Sequence, residues 1–306
     1  MQTSRLKIGT RGSKLALWQA NETRRLLSLA HGIELDAIEI VVISTTGDRE
    51  CDRPLSEIGG KGLFTREIEV ALLAGDIHLA VHSMKDMPTR LPGGLVIGAC
   101  LEREDVRDAF LSHKVKSISE LPRGATVGTS SVRRAAQLKH LRPDIKILPF
   151  RGNVETRLKK LDDGLVDATF LACAGLKRLG YADRIASCVA VAEMMPAVAQ
   201  GAIGIEIREG DERTRALVAA INHRPTETTV ACERAFLTVL DGSCRTPIAG
   251  HAVVSGSGLA FAGEALTLDG VHVFRAARAG AAADAAKLGS DAGEEVKASG
   301  GALLTH

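Results

Sequence analysis

The amino-acid sequence predicts an α/β protein of two lobes followed by a small α+β domain. Three observations carry this. Strand–loop–helix units alternate through the first two-thirds of the chain, the pattern restarts near residue 123, and the texture changes after about residue 222. Repeated strand–loop–helix order builds parallel sheets with helices on their faces. A chain of 306 residues suits two or three domains at roughly 100–200 residues each.

The first lobe opens with a strand at Leu6–Gly9, ending in Thr10-Arg11-Gly12-Ser13. Ser13 is a good N-cap for a helix with Trp18, Leu26 and Leu27 on its apolar side. A strand at Ile38–Ile43 follows. The helix after Gly62 carries Phe64, Ile68, Ala71 and Leu72, an i, i+4, i+7, i+8 stripe. A strand at Ile77–Val81 then runs into His82-Ser83-Met84-Lys85-Asp86.

In the second lobe, Ala125–Val127 leads through Gly128-Thr129-Ser130-Ser131 into a helix reaching Leu141. Lys146–Phe150 leads through Arg151-Gly152-Asn153 into a helix with Val154, Leu158 and Leu161 on one face. Asp167–Ala172 leads to Gly175-Leu176-Lys177-Arg178. Ile203, Ile205 and Ile207 alternate with Gly204, Glu206 and Arg208, the period of a strand with one polar face. In the third domain a helix at about 227–240 ends at Asp241-Gly242-Ser243-Cys244. Strands near 259–268 and 271–278 flank Asp269-Gly270, a strong hairpin signal. The Ala/Gly-rich tail from 279 reads as one helix.

Composition excludes several functions. A net charge of +2 rules out a basic nucleic-acid tail, and nine aromatic residues are too few for base-stacking platforms. No run of eighteen uncharged apolar residues is present, as a membrane span would need. The N-terminal MQTSRLKIGTRGSK lacks a signal-peptide pattern. The six cysteines (51, 100, 173, 188, 232 and 244) form no CxxC, hence no zinc spacing and no small disulfide framework. These readings place the protein in the cytoplasm with reduced thiols.

The charge is unevenly spread. From Thr129 to Arg178 there are eleven Lys/Arg against five Asp/Glu, a net of +6. Lys139, Arg142, Lys159 and Lys160 fall mid-helix and read as solvated faces. Arg133, Arg134, Arg151, Arg157 and Arg178 lie nearer the carboxyl ends of strands, where open α/β sheets bind ligands. For these, a solvated face and a polyanion site both stand. GGKG at 59–62 is not a phosphate-binding loop, no GxGxxG follows a strand, and GTSSV at 128–132 lacks the GxSxG frame. No helix–turn–helix spacing or contiguous basic face supports DNA binding. Asp86, before Met87-Pro88, reads either as a turn residue or as a carboxylate set to stabilise a cation or move a proton. Cys244 reads either as a small buried hydrophobe or as an exposed thiol beside Arg245.

Taken together, these segments resemble the porphobilinogen deaminase (hydroxymethylbilane synthase) family. The strings that carry the resemblance are IGTRGSKLALWQA (8–20), GGKGLFTREIE (59–69), AVHSMKDMP (80–88), EREDVRDAF (102–110), VGTSSVRRAAQL (127–138) and RGNVETRLKKLD (151–162). AGLKRLG (174–180), PAVAQGAIGIE (196–206) and GSCRTPI (242–248) complete the set. They occur in family order and cover about residues 5 to 250; the last fifty residues fit loosely.

The resemblance implies two lobes like those of type II periplasmic binding proteins: domain 1 at 1–101 and 197–220, and domain 2 at 102–196. A third domain at 221–306 would carry the cofactor cysteine. It implies a transferase of porphyrin and heme biosynthesis that condenses four porphobilinogen molecules head to tail into linear hydroxymethylbilane, releasing ammonia. The chain is primed by a dipyrromethane cofactor held as a thioether. On this resemblance Cys244 is the attachment residue and Asp86 the catalytic carboxylate. Lys85, Asp86, Thr129, Ser130, Ser131, Arg133, Arg134 and Arg157 bind the cofactor. Arg11, Ser13, Lys61, Arg151, Arg157, Arg178 and Gln200 bind substrate.

Each pyrrole brings an acetate and a propionate, so the growing chain is a polyanion of the kind the +6 segment suits. Departure of ammonia leaves an electron-poor azafulvene, whose developing positive charge a fixed carboxylate can stabilise. The expected partner is porphobilinogen alone, with no nucleic acid or membrane; no metal is expected, and the protein would be a monomer. A mobile loop is expected at 44–61. Glu57 stands where the family often has Lys, which weakens any anion-binding role there. A non-catalytic polycarboxylate-binding protein on the same scaffold is the alternative, and it would need neither Cys244 nor Asp86.

Overall fold

The computed structural model describes residues 5–49, 62–241 and 246–304. Lys61, Glu57, Cys244 and the 50–61 part of the expected mobile loop lie outside the described residues. In chain order the strands are β1 (Leu6–Thr10), β2 (Ile38–Val42), β3 (Leu79–Ser83), β4 (Leu95–Cys100), β5 (Asp108–Leu111), β6 (Thr126–Gly128), β7 (Lys146–Leu148), β8 (Ala168–Ala172), β9 (Ser187–Cys188), β10 (Ile203–Arg208), β11 (Ile248–Ser255), β12 (Gly258–Leu266) and β13 (Val273–Ala281). The helices are α1 (Lys14–His31), α2 (Thr46–Arg49), α3 (Arg66–Ala74), α4 (Val132–Leu141), α5 (Val154–Asp162), α6 (Cys173–Arg178), α7 (Glu212–Ala219), α8 (Arg224–Val239) and α9 (Ala285–Gly300).

The described residues fall into two compact units, 5–49 with 62–104 and 202–227, and 105–201 with 228–241 and 246–304. The first unit is an α/β lobe on a five-stranded sheet ordered β2-β1-β3-β10-β4. β1, β2 and β3 run parallel, and β10 enters antiparallel to β3 and β4. The second unit contains a five-stranded sheet ordered β7-β6-β8-β5-β9. There β6, β7 and β8 are parallel, and β5 is antiparallel to β8 and β9. The two sheets thus share one plan: three parallel strands, then an antiparallel strand one place in from the edge. The second unit also holds the antiparallel sheet β11-β12-β13, covered by α8 and α9 around Phe236, Phe261 and Val296. The architecture is two α/β lobes plus a small α+β domain.

Several elements differ from the sequence reading for identifiable reasons. The strand expected at 77–81 starts at Leu79, because the Asp76 and Ile77 N–H groups close the end of α3 on Ala71 O. β10 has no solvent-facing side: it lies between β3 and β4, and Glu206 is 0% exposed. Trp18 points outward, and α1 buries Ala16, Ala20, Thr23 and Leu27 instead. The β12–β13 connection is a six-residue loop, 267–272, because the Asp269 carboxylate accepts from Val271 N–H and Thr267 Oγ1–H and holds it open. Within the expected mobile loop, 46–49 is a helical turn whose Thr46 N–H donates to Glu67.

The Ala/Gly-rich tail is explained by close helix packing. Ala285, Gly289, Ala292, Gly293 and Val296 form the buried stripe of α9. A Cβ at Gly289 would lie 2.0 Å from Cys232 O of α8, and one at Gly293 would lie 2.8 Å from Val239 Cβ. Neither backbone carbonyl nor branched side chain can yield cheaply. Gly289→Ala is expected to cost about 1–3 kcal/mol through overpacking, read as a lowered melting temperature; wild-type melting would show that α8 and α9 part freely.

Candidate functional site

In the first unit, β1 ends at Thr10 and hands Arg11 to a turn whose Ser13 caps α1, accepting from Ala16 N–H at 3.3 Å. Arg11 places Nε and a terminal nitrogen on Asp48, which is itself held by Thr45 Oγ1–H at 2.7 Å. The guanidinium lies 4.3 Å from the Phe64 ring centroid, a cation–π distance. Burial alone would raise the Asp48 carboxyl, but hydrogen bonds from Arg11 and Thr45 outweigh it and hold the group below its ordinary range. β3 runs into the single helical turn Met84–Asp86, so Lys85 and Asp86 leave the sheet side by side, both half-buried.

Asp86 lines a small cavity of about 60 Å³ together with Arg11, Ser13, Gln19, Phe64, His82 and Ser83. Among the described residues its carboxylate makes no hydrogen bond or ion pair. Side chains of the cavity wall are hydrogen-bonded: Gln19 Nε2–H donates to Ser83 Oγ at 2.8 Å, and His82 Nε2 lies 3.1 Å from Glu206 Oε2. Burial and the nearby Glu206 carboxylate push the Glu69 carboxyl up. Gln19, Phe64, His82 and Ser83 are not among the site residues expected from the sequence. They sit inside strings already quoted, but their convergence depends on β3–β10 register and on α1 packing over β3.

In the second unit the turn after β6 presents Thr129, Ser130 and Ser131. Thr129 Oγ1 accepts from Ser131 N–H, Ser130 Oγ from Phe150 N–H, and Ser131 Oγ caps α4 by accepting from Arg134 N–H. Each hydroxyl has thereby spent an acceptor, and its proton is left to donate. After β7, Gly152 adopts φ 117°, a turn that brings Arg157 Nε–H to Gly152 O at 2.8 Å. Arg151 O accepts from Lys160, and Arg178, at the end of α6, donates to Gly201 O at 2.7 Å.

Beneath these turns lies Asp108 of β5, 0% exposed. It accepts from Arg133 at 2.8 Å, Arg134 at 2.7 Å and Gln200 at 2.9 Å. Arg133 also donates to Met195 O and Arg134 to Phe170 O, while Arg134 Nε–H is buried with no partner among the described residues. Arg133, Arg134 and Gln200 are therefore buried around one carboxylate rather than spread on a surface. Burial would push Asp108 up, but attraction to Arg133 and Arg134, with hydrogen bonds from Arg134 and Gln200, holds it well below the ordinary carboxylate range.

One α/β lobe thus holds a carboxylate with no hydrogen bond or ion pair among the described residues beside a small cavity of mixed lining, and the other holds three hydroxyls in a strand-to-helix turn next to a buried Asp–Arg cluster. Fold and site define a two-lobe α/β protein with polar groups gathered at strand-to-helix turns. The family profile described as "Porphobilinogen deaminase, dipyromethane cofactor binding domain" matches residues 6–216, and "Porphobilinogen deaminase, C-terminal domain" matches 227–298. A porphobilinogen deaminase of Paracoccus denitrificans (strain Pd 1222) is 61% identical over 292 residues, 95% of this chain and 93% of its own. The chain belongs to the porphobilinogen deaminase family. It is a transferase of porphyrin biosynthesis, and its cofactor is dipyrromethane.

Among solved structures, the methionine binding protein MetQ matches with TM-score 0.45 and 17% identity over 71% of this chain and 89% of its own. An ABC-transporter periplasmic substrate-binding protein from Coxiella burnetii matches with TM-score 0.43 and 15% identity over 75% and 96%. Among the described residues no helix is long and apolar enough to cross a membrane.

Because the folded-state carboxyl of Asp108 is depressed, its contribution to stability is complete above the unfolded value near 3.9 and is lost as pH falls toward the folded one. Asp108→Asn leaves two buried guanidinium groups uncompensated and is expected to cost about 3–5 kcal/mol at neutral pH. In melts across pH the gap from wild type should narrow below pH ~4. A gap independent of pH would mean that Asp108 acts through shape rather than charge.

Proposed function

We propose that Asp86 is the carboxylate that stabilises positive charge developing on the porphobilinogen pyrrole nitrogen as ammonia departs. The observation that carries this is the unpartnered, half-buried Asp86 carboxylate in a cavity walled by Arg11, Ser13, Gln19 and Ser83. A fixed carboxylate facing a developing cation stabilises the transition state more than the ground state. Asp48 takes up the Arg11 charge, so that cation does not cancel Asp86. Arg11 keeps its remaining terminal N–H groups, and Ser13 its hydroxyl proton, for a substrate carboxylate. Lys85, beside Asp86, is assigned to a ligand carboxylate as a point charge.

The dipyrromethane cofactor fits the donor set of the second unit. Thr129, Ser130 and Ser131 retain hydroxyl protons, and Arg134 retains a buried N–H without a partner. Such donors suit the acetate and propionate groups a dipyrromethane carries. Thr129, Ser130, Ser131, Arg133, Arg134 and Arg157 would hold those carboxylates, with Cys244 as the covalent attachment. When bound, the cofactor supplies the free pyrrole α-carbon to which the first substrate is joined. Arg151, Arg178, Gln200 and Lys61 are assigned to carboxylates of substrate and growing chain, Gln200 by fixing Asp108 beneath the arginines. The near-neutral net charge supports a small-molecule partner rather than nucleic acid, and we infer a cytoplasmic monomer.

Asp86→Asn keeps the shape and removes the charge. It is expected to lower kcat by about 10²–10³, with unchanged melting and an unchanged intact mass; undiminished turnover would remove Asp86 from this role. Cys244→Ser is expected to yield a folded protein whose intact mass lacks the dipyrromethane. An adduct persisting on that variant would place the attachment elsewhere.

A further inference from the structure

Two of the six cysteines meet although no sequence spacing announces it. Cys173 opens α6 directly after β8, and its N–H donates to Arg107 O on one side of β5. Cys188, in the edge strand β9, pairs with Ala109 on the other side. The two Sγ atoms are 3.4 Å apart. Asp105 adds a carboxylate, so that one donor atom from each of the three residues lies within 4.8 Å of the others. Cys173 is buried and the other two are half-buried, beside an apolar cluster that includes Leu111, Leu171 and Leu176.

We propose that Asp105, Cys173 and Cys188 form a binding site for a zinc-type divalent cation. A tetrahedral ion with M–S about 2.3 Å and M–O about 2.0–2.2 Å sets S···S near 3.8 Å and S···O near 3.5 Å. The three donors reach those spacings by side-chain shifts of about an ångström. A disulfide would require the sulfurs to close from 3.4 Å to about 2 Å, whereas an ion requires about 3.8 Å between them, which is the smaller displacement.

Binding exchanges charge for charge. The ion enters, two M–S bonds and one M–O bond form, and both thiol protons leave to solvent. The two thiolates and Asp105 then outweigh the ion by one negative charge, which the adjacent Arg107 offsets. Arg107 holds the carboxylate through its backbone N–H and two guanidinium nitrogens at 2.8–3.0 Å and remains the outer partner that orients the ligand. Lys177, a single contact 3.0 Å from Asp105, is the one given up.

The test uses the cofactor-loaded protein, titrated with Cd²⁺ and then with Zn²⁺ in competition. It is followed by the ultraviolet thiolate-to-cadmium absorption and by native mass. One ion per chain is expected, with apparent affinity rising up to about 100-fold per pH unit as two protons are displaced. Cys188→Ala, at a half-buried position chosen to spare the fold, should weaken binding at least 100-fold, and Asp105→Asn about 10-fold. Cys100→Ala, in the other unit, should leave it unchanged. No bound ion at micromolar Cd²⁺, or equal binding by a Cys173→Ser/Cys188→Ala double variant, would overturn the proposal. So would a Cys173–Cys188 disulfide formed with a small-molecule disulfide in a protein that takes up no ion.

Discussion

The second lobe is organised around a single buried charge. Asp108 has no exposed surface and takes two guanidinium groups and a side-chain amide. Those partners come from α4 and from the 196–201 segment, and they further bind Met195 O, Phe170 O and Val106 O. One carboxylate therefore ties β5, α4, β8 and the chain leading out of the lobe. A buried ion is tolerated only when its partners satisfy it almost completely. That requirement fixes where Arg133 and Arg134 sit, and with them the Thr129–Ser131 turn capping the same helix. The Thr129–Ser131 turn is thus positioned by the ion pairs buried beside it.

This also revises what the basic stretch means. A count of eleven cations against five anions overstates the charge available to a ligand. Arg142 is paired with Asp144, Lys159 with Asp163, Lys177 with Asp105, and the two buried arginines share Asp108, which lies outside the counted window. What the second lobe offers at its turns is set by local geometry rather than by net charge. The Thr129–Ser131 hydroxyls, which carry no charge at all, have protons left to donate after shaping their own backbone.

Local signals were legible in the sequence where one short segment contains the whole interaction. Ser13 caps its helix by a bond spanning three residues, and the strand–turn–helix units recur close to where periodicity puts them. Asp86 and the basic turns could be singled out as candidates from contiguous strings, but their roles came from the family resemblance rather than from local pattern. Interactions that join distant residues were not legible. β10 reads as half-polar because Glu206 interrupts its isoleucines, yet Glu206 faces His82, 124 positions away. Asp108 meets Gln200 across 92 positions. No periodicity encodes such pairs; they follow from sheet order. The hairpin signal misled on loop length because Asp269 uses its side chain to bridge the loop rather than to tighten it.

The strand order carries a consequence for how the chain is made. β10 lies between β3 and β4, yet it leaves the ribosome about a hundred residues after them. Through that interval the first sheet has a gap in it, with the edges of β3 and β4 unsatisfied. The second sheet, from β5 to β9, is contiguous and completes before residue 203 is reached. Contacts between segments so far apart form slowly, and exposed strand edges invite wrong pairing. The nascent chain therefore passes through a stage in which the strands of the second sheet are all made while the first sheet still lacks β10 between β3 and β4.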